Sequence, residues 1–204
     1  RGAAQLLARA LPDAGLTEYT RIIIEEADRL RDLVDRMLGS HEPPVLLPVN
    51  IHEVLERVLS LIHAEYGESI SFQRDYDPSM PDIEGDRGQL LQALLNIVRN
   101  AIQALHESHA VNPDIMLRTR VQRRFTIGKR QHRLVCRIDV IDNGPGIPSE
   151  MQDTIFFPMI SGRADGTGLG LAISQSIMAQ HHGMIECESV PGNTRFSLYL
   201  PLDI

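Results

Sequence analysis

Hydrophobic positions in this chain recur in two periods, and the switches between them divide it into elements. Residues 1 to 11 set Ala3, Ala4, Leu6, Leu7, Ala10 and Leu11 among strong helix formers and read as the tail of a helix. Pro12-Asp13-Ala14-Gly15 is a turn signal. Residues 16 to 38 form an amphipathic helix in which Ile23, Ala27, Leu30, Val34 and Met37 make a heptad seam between charged flanks. Two helices joined by a short turn, one with such a seam, predict a helical hairpin that pairs with a second copy; the competing reading is a helix packed on its own domain. Gly39 to Pro44 is a linker, since proline stops the helix and stiffens the junction.

The pattern beyond Pro44 alternates strand and helix. A short strand falls near Val45 to Val49. Asn50 with Glu53 forms a capping-box signal ahead of a helix whose apolar face is Ile51, Val54, Leu55, Val58, Leu59 and Ile62. Ile70 to Tyr76 alternates as a strand, and Asp75 to Met80 is rich in turn residues. Asp86 with Gln89 repeats the capping signal before a long helix, from about Arg87 to His106, that is apolar on most of its surface and so predicted to be buried. Ile115 to Gln122 and Arg133 to Asp142 read as paired strands around a loop, Arg123 to His132, whose arginines and lysine suit a solvated hairpin tip. A helix over 171–181 and strands at Met184 to Val190 and Thr194 to Leu200 complete the pattern. The fold class is α+β: a two-layer α/β sandwich, one mixed sheet with about three helices on one face, preceded by part of a helical hairpin.

Composition narrows the function. The chain has 204 residues, 43% hydrophobic and 23% charged, in the range of globular domains with a core. A net charge of −7 argues against a general binder of nucleic acid or anionic membrane. Cys136 and Cys187 lie far apart in apolar segments and read as reduced core residues in a reducing compartment. No run of 18 apolar residues occurs.

Three stretches carry candidate chemistry. Asn96 and Asn100 share a face of the long helix, where unpaired buried amides cost about 1–3 kcal/mol each. Either they cap neighbouring backbone, or an Asn carbonyl helps hold a hard cation such as Mg²⁺ beside substrate phosphates. Asp142 ends an apolar strand and enters Asn143-Gly144-Pro145-Gly146. That is a turn signal, and also a place where a carboxylate can accept from an exocyclic amino group while Gly144 and Gly146 admit a flat ligand to the backbone. Gly166-Thr167-Gly168-Leu169-Gly170 precedes a helix, as suits a phosphate chain, yet fits neither the P-loop nor the dinucleotide fingerprint. The stretch from Phe157 to Asp165 has no strong period and the composition of a lid.

Together and in this order, these motifs resemble those of the GHKL ATPase superfamily, and within it the sensor histidine kinases of two-component systems. Asn96 to Ala101 resembles their N box, Asp142 to Ile147 their G1 box, Phe156 to Met159 their F box and Gly166 to Leu171 their G2 box; Pro191-Gly192-Asn193-Thr194 resembles the glycine motif near the domain's end. The wording of Arg1 to Leu7, Leu94 to Ala101, Phe157 to Arg163 and Thr194 to Pro201 more closely resembles the nitrogen-regulatory kinases of the NtrB type. The resemblance implies the GHKL (Bergerat) ATP-binding fold over residues 45 to 204 and a dimerisation and phosphotransfer hairpin over 1 to 38. It implies Mg-ATP as ligand, with Asn100 on Mg²⁺, Asn96 supporting the phosphates and Asp142 holding the adenine amino group with help from Gly146 and Thr194. Gly168 and Gly170 would lie along the phosphates, with Gly144, Gly166, Thr167 and Leu169 completing the ATP-binding set. Implied partners are an NtrC-type response regulator, a PII-type signalling protein and a second copy of the chain.

The family's phosphorylated histidine belongs just before the segment that begins at Arg1, so the acceptor is expected outside this sequence, and none of its eight histidines replaces it. Relatives often carry a basic residue where Met184 stands, so no charged ATP contact is assigned there. Two other readings remain: a hydrolysing or Ser/Thr-phosphorylating relative, and a non-catalytic module whose docking surface is set by nucleotide.

Overall fold

The computed structural model describes residues 44–67, 69–110, 112–160 and 168–202. The chain divides into two units between Glu42 and Pro43, and the second holds every described residue. The predicted hairpin, the linker up to residue 43, and Gly166 and Thr167 lie outside the described residues.

The elements run β1 (Leu47–Val49), α1 (Ile51–Tyr66), β2 (Ser71–Asp75), β3 (Ile83–Gly85), α2 (Arg87–Glu107), β4 (Asp114–Ile127), β5 (Arg130–Asp142), α3 (Ser149–Gln152), α4 (Gly170–Gln180), β6 (Met184–Val190) and β7 (Asn193–Pro201). The main sheet has the order β2-β4-β5-β7-β6; β2 runs parallel to β4 and the other pairs are antiparallel. β1 and β3 pair separately as a short antiparallel ribbon.

Both predicted helix starts are real. Asn50 Oδ1 accepts from the amides of His52 and Glu53, and Asp86 Oδ1 accepts from those of Gly88 and Gln89. The reciprocal half of each capping box is not formed: the Glu53 carboxylate pairs with Arg87, and Gln89 Oε1 is buried with no hydrogen-bond partner. The start of α2 is tied to α4 through His181. Its Nε2 lies 2.9 Å from the Asp86 N–H and its Nδ1 lies 2.8 Å from the Ile177 carbonyl. The first must accept and the second must donate, which fixes a neutral tautomer in a buried position.

The core fills the space between the helices and one face of the sheet. Ile51, Val54, Leu55, Val58, Leu59 and Ile62 of α1 meet Leu90, Leu94, Ile97, Val98, Ile102 and Leu105 of α2 there, all almost fully buried. On the sheet, alternate residues form rungs across β4, β5, β7 and β6. One rung is Thr119-Ile138-Leu198-Ile185 and the next is Leu117-Val140-Phe196-Cys187. Deleting one such buried branched side chain costs about 2–5 kcal/mol, so these rungs fix which residues face inward all along each strand.

One stretch departs from the expected pattern. Arg123 to His132 is not a loop. The hairpin continues through it, with Phe125 opposite His132 and Ile127 opposite Arg130, leaving Gly128 and Lys129 as the turn. The arginines suit this extension because neither face there lies in the core; Phe125 stacks on Tyr199 at 4.2 Å, and Arg124 takes a left-handed φ of 53°.

Candidate functional site

The rung after Leu117-Val140-Phe196-Cys187 reads Ile115-Asp142-Thr194-Ser189. The strand period that points these two largely apolar rungs into the core therefore points a carboxyl and two hydroxyls into its end. Asp142 is 4% exposed and Thr194 likewise. Asp142 Oδ1 accepts from the Gly144 N–H at 2.9 Å. Burial pushes its carboxyl up to about 6, against the pull of that single amide, because a low-polarity surround disfavours the charged form. Thr194 Oγ1 lies 2.8 Å from Ser189 Oγ.

The turn after Asp142 is held from several sides. Asn143 serves the backbone: its Oδ1 accepts from Asp114 N–H and its Nδ2 donates to the Asn112 carbonyl. Gly144 carries no Cβ where one would sit 2.7 Å from Asp142 Oδ1, and its carbonyl accepts from Gly192 N–H at 2.8 Å. Gly146 has φ +85°, and a Cβ there would meet the Val190 and Pro191 backbone at 2.9 Å. Only glycine fits this position without moving the end of β6. The turn that the sequence signals is thus formed.

A second group forms where α4 begins. Asn96 donates from Nδ2 to the Gly170 carbonyl at 3.1 Å, and Ser174, fully buried, places its hydroxyl between the carbonyls of Gly170 and Ala93. Asn96 therefore docks α4 on α2. Asn100 lies one turn further along α2 and is half-buried. Gly168 has φ +63°, and a Cβ would fall within 2.8 Å of Met159 and Ile160 backbone, whose Met159 N–H donates to the Gly168 carbonyl. Leu169, the residue before α4, is buried. The Phe156 ring stands edge-on to Phe196 at 6.4 Å, while Phe157 and Met159 are more than half exposed.

The structure thus brings Asp142, Gly144, Gly146 and Thr194 into one group, and Asn96, Gly168, Leu169 and Gly170 into another, with Asn100 on the helix that serves the second. Arg99 belongs to neither; it forms an exposed ion pair with Glu65 of α1. Gly183, before Met184, is required by packing, since a Cβ would lie 2.4 Å from the Tyr199 carbonyl. Among the seven described histidines, His181 is structural, His52 bonds Thr119 and stacks on Tyr76, and His63 bonds the Leu59 carbonyl. Both cysteines are free thiols, and burial raises each to about 12. Sequence reasoning missed Ser189 and Gln152, which bracket the Gly146 turn. Ser189 was detectable in principle: it has the strand parity of Ile185 and Cys187, so it is a polar residue in an inward series.

Comparison with known proteins accords with this geometry. Residues 85–204 match the family model described as histidine kinase-, DNA gyrase B-, and HSP90-like ATPase. The chain is 54% identical over 202 residues to the sensory histidine kinase/phosphatase NtrB of Klebsiella oxytoca, covering 99% of this chain and 57% of that protein. The NtrB of Rhodobacter capsulatus is 39% identical over 203 residues, covering 98% and 57%. The chain therefore spans little more than half the length of these relatives. Among solved structures, the nucleotide-free catalytic domain of histidine kinase ThkA superposes with a TM-score of 0.64 at 28% identity, over 76% of this chain and 95% of that one. Full-length ShkA in complex with AMPPNP gives 0.67 at 26% identity, over 98% and 42%. ThkA in complex with the response regulator TrrA gives 0.67 at 27% identity, over 99% and 56%. With a five-stranded mixed sheet, helices on one face and the glycine turns in place, the chain belongs to the histidine kinase-, DNA gyrase B- and HSP90-like ATPase family.

Proposed function

We propose that this chain is the ATP-binding catalytic part of a sensor protein-histidine kinase, acting on a histidine outside this sequence. The observation that carries the reading is Asp142: a carboxyl at the end of the core rungs, with one amide on Oδ1 and a raised pKa, next to glycines that leave the backbone bare. Such a group suits the exocyclic amino group of adenine as an acceptor, with Thr194 beside it. Gly168, Gly170 and the start of α4 would lie along the phosphates.

The residues present also fit Mg²⁺ in a particular way. Among the described residues no three His, Cys, Asp or Glu side chains gather as a metal cage. A cation would rely on phosphate oxygens with a protein carbonyl oxygen such as that of Asn100. Mg²⁺ there neutralises phosphate charge. What the chain itself contributes is position: Asp142 and Thr194 fix the base, and Asn96 fixes the start of α4 so that its first amides face the phosphates.

The likeness to NtrB supports a specific setting. The phosphoryl group would go first to a histidine on a helical bundle formed by two copies through the heptad seam, then to an aspartate of an NtrC-type regulator in nitrogen control. A PII-type protein would set the balance of kinase and phosphatase activity. The reduced thiols fit a cytoplasmic setting, and no described helix is long and apolar enough to cross a membrane.

One experiment separates this from its rivals. The 204-residue chain and labelled Mg-ATP are mixed with a full-length homologue that keeps its acceptor histidine but has a disabled nucleotide site. Acid-labile phosphate on that histidine supports the kinase. Phosphate on serine or threonine, or steady hydrolysis without transfer, supports a hydrolysing or Ser/Thr-directed relative, and nucleotide binding with neither supports a docking module. The chain by itself is expected to bind ATP and gain no phosphohistidine.

A further inference from the structure

We infer that Gln152 and Ser189 are positioning residues that set the hydrogen-bonding polarity of the purine site. The inference rests on the adenine reading of Asp142 and Thr194 given above.

Gln152 donates both hydrogens of its Nε2 to carbonyl oxygens, Ile147 O at 2.8 Å and Ser189 O at 2.9 Å. One side chain thus bridges the turn after Asp142 and the last residues of β6. Ser189 closes the same gap from the other side, its Oγ accepting from the Ile147 N–H at 2.8 Å. Ile147 therefore has its N–H held by Ser189 and its C=O held by Gln152. The neighbouring Gly146 is already pressed against Val190 and Pro191. A turn held at three successive points cannot swing away from β6 without breaking several bonds together.

The Ile147 N–H fills one of the two lone pairs of Ser189 Oγ, which favours Ser189 as the donor to Thr194. A hydroxyl has one proton to give. Ser189 Oγ accepts from Ile147 and lies 2.8 Å from Thr194 Oγ1. When Ser189 gives its proton to Thr194, the Thr194 proton is released for a ligand. The site then offers an acceptor, Asp142, beside a donor, Thr194. Adenine presents the complement on one edge, an amino donor beside the N1 acceptor. Hypoxanthine presents an oxygen acceptor beside an N–H donor, the reverse order. With Thr194 donating to Ser189 instead, the site would offer two acceptors and lose its match to N1. Gln152 acts through the turn, by keeping the Ile147 N–H on Ser189 so that the serine proton points to Thr194.

The test uses the 204-residue chain, titrated calorimetrically with ADP and with IDP. Ser189→Ala and Gln152→Met are each expected to weaken ADP about tenfold, the value of one hydrogen bond, while IDP changes little, so that the ADP/IDP ratio falls. Ser189→Thr keeps the hydroxyl on the strand and is expected to restore both affinity and ratio; a merely structural role would lower both ligands together. Gln152→Met reads the clamp separately should Ser189→Ala melt early. Variants that fold and keep the parent ADP affinity and ratio overturn the inference. Asp142→Asn runs alongside: if it leaves ADP binding intact the adenine reading itself fails, whereas loss there with unchanged Ser189 and Gln152 variants overturns only this inference.

Discussion

Replacing Asp142 with asparagine should make the ligand-free domain more stable at neutral pH and much worse at holding an adenine nucleotide. The carboxyl stands at about 6 in the fold against an ordinary value of 3.8, chiefly because it is buried. Keeping it ionised in the fold then costs about 3 kcal/mol, at 1.36 kcal/mol per unit. The sign follows from the direction. A raised carboxyl supports the fold below pH 4, and that support is lost as pH climbs through 6. Asparagine does not titrate. Its stability relative to the parent should therefore grow by about 2 kcal/mol between pH 4.5 and 8, the part of the shift that lies above pH 4.5, or about 4–8 °C in Tm at 2–4 °C per kcal/mol for a domain of this size. The net gain at pH 8 is smaller, because the new amide hydrogens need partners and each unmet one costs about 1–3 kcal/mol. His52, whose pKa burial lowers, loses its contribution as pH falls, but that is common to both proteins and leaves the difference unchanged. Scanning calorimetry of both proteins from pH 4.5 to 8 reads the first half; titration with ADP at pH 7.5 reads the second, where a loss of about 30–100-fold is expected for a charge-assisted bond worth about 2–3 kcal/mol. Parallel melting curves across the range would refute the burial argument, and unchanged ADP affinity would refute the assignment of the amino group to this carboxyl.

The other expectations concern parts that hold the site. Gly146→Ala should destabilise by at least about 1–3 kcal/mol from its positive φ alone, and should weaken ADP more than tenfold because the turn must leave Pro191; urea denaturation and calorimetric titration check the two. His181→Leu strands the Asp86 N–H, while the Ile177 carbonyl keeps the residue-181 amide as donor, so a loss of about 1–3 kcal/mol is expected in denaturant melts, with no change in nucleotide affinity per folded molecule. Asn96→Ala frees the Gly170 carbonyl from one donor; faster amide exchange at Ile173 and Ser174, with a global loss of about 1 kcal/mol, is the expected signature.

Much of this molecule was legible in its sequence, for physical reasons that differ by element. α1 and α2 carried long apolar periods and side-chain caps, and both signals act within a few residues. β6 matched its predicted span because buried and exposed residues alternate along it. β3 escaped notice: at three residues it has too little length for a period, and its glycine is there because His181 and Leu90 crowd it. The extension of β4 and β5 was misread because alternation of polar residues tells nothing when neither face is in the core. In the site, Asp142, Gly144, Gly146 and Thr194 were nameable from their motifs. Gln152 was not, since its role exists only once β6 lies beside the turn. The use of Asn96 as a dock for α4 is likewise a tertiary fact.

The burial of Asp142 also determines how pH, stability and ligand are linked. A ligand that donates a hydrogen bond to this carboxylate prefers it ionised, so binding must lower its pKa below about 6. Nucleotide binding near pH 6 should then release a fraction of a proton, and affinity should rise with pH and level off above 7. The desolvation that makes the empty domain strained at neutral pH has already been met when the base arrives; the ligand's amino group supplies a donor where water does not reach freely. An exposed carboxylate would give up much of that gain to the solvent it must shed. On this reading the apolar rung of Val140, Phe196 and Cys187 beside the polar one would belong to the proposed nucleotide site, although none of the three offers a side-chain hydrogen bond to a nucleotide.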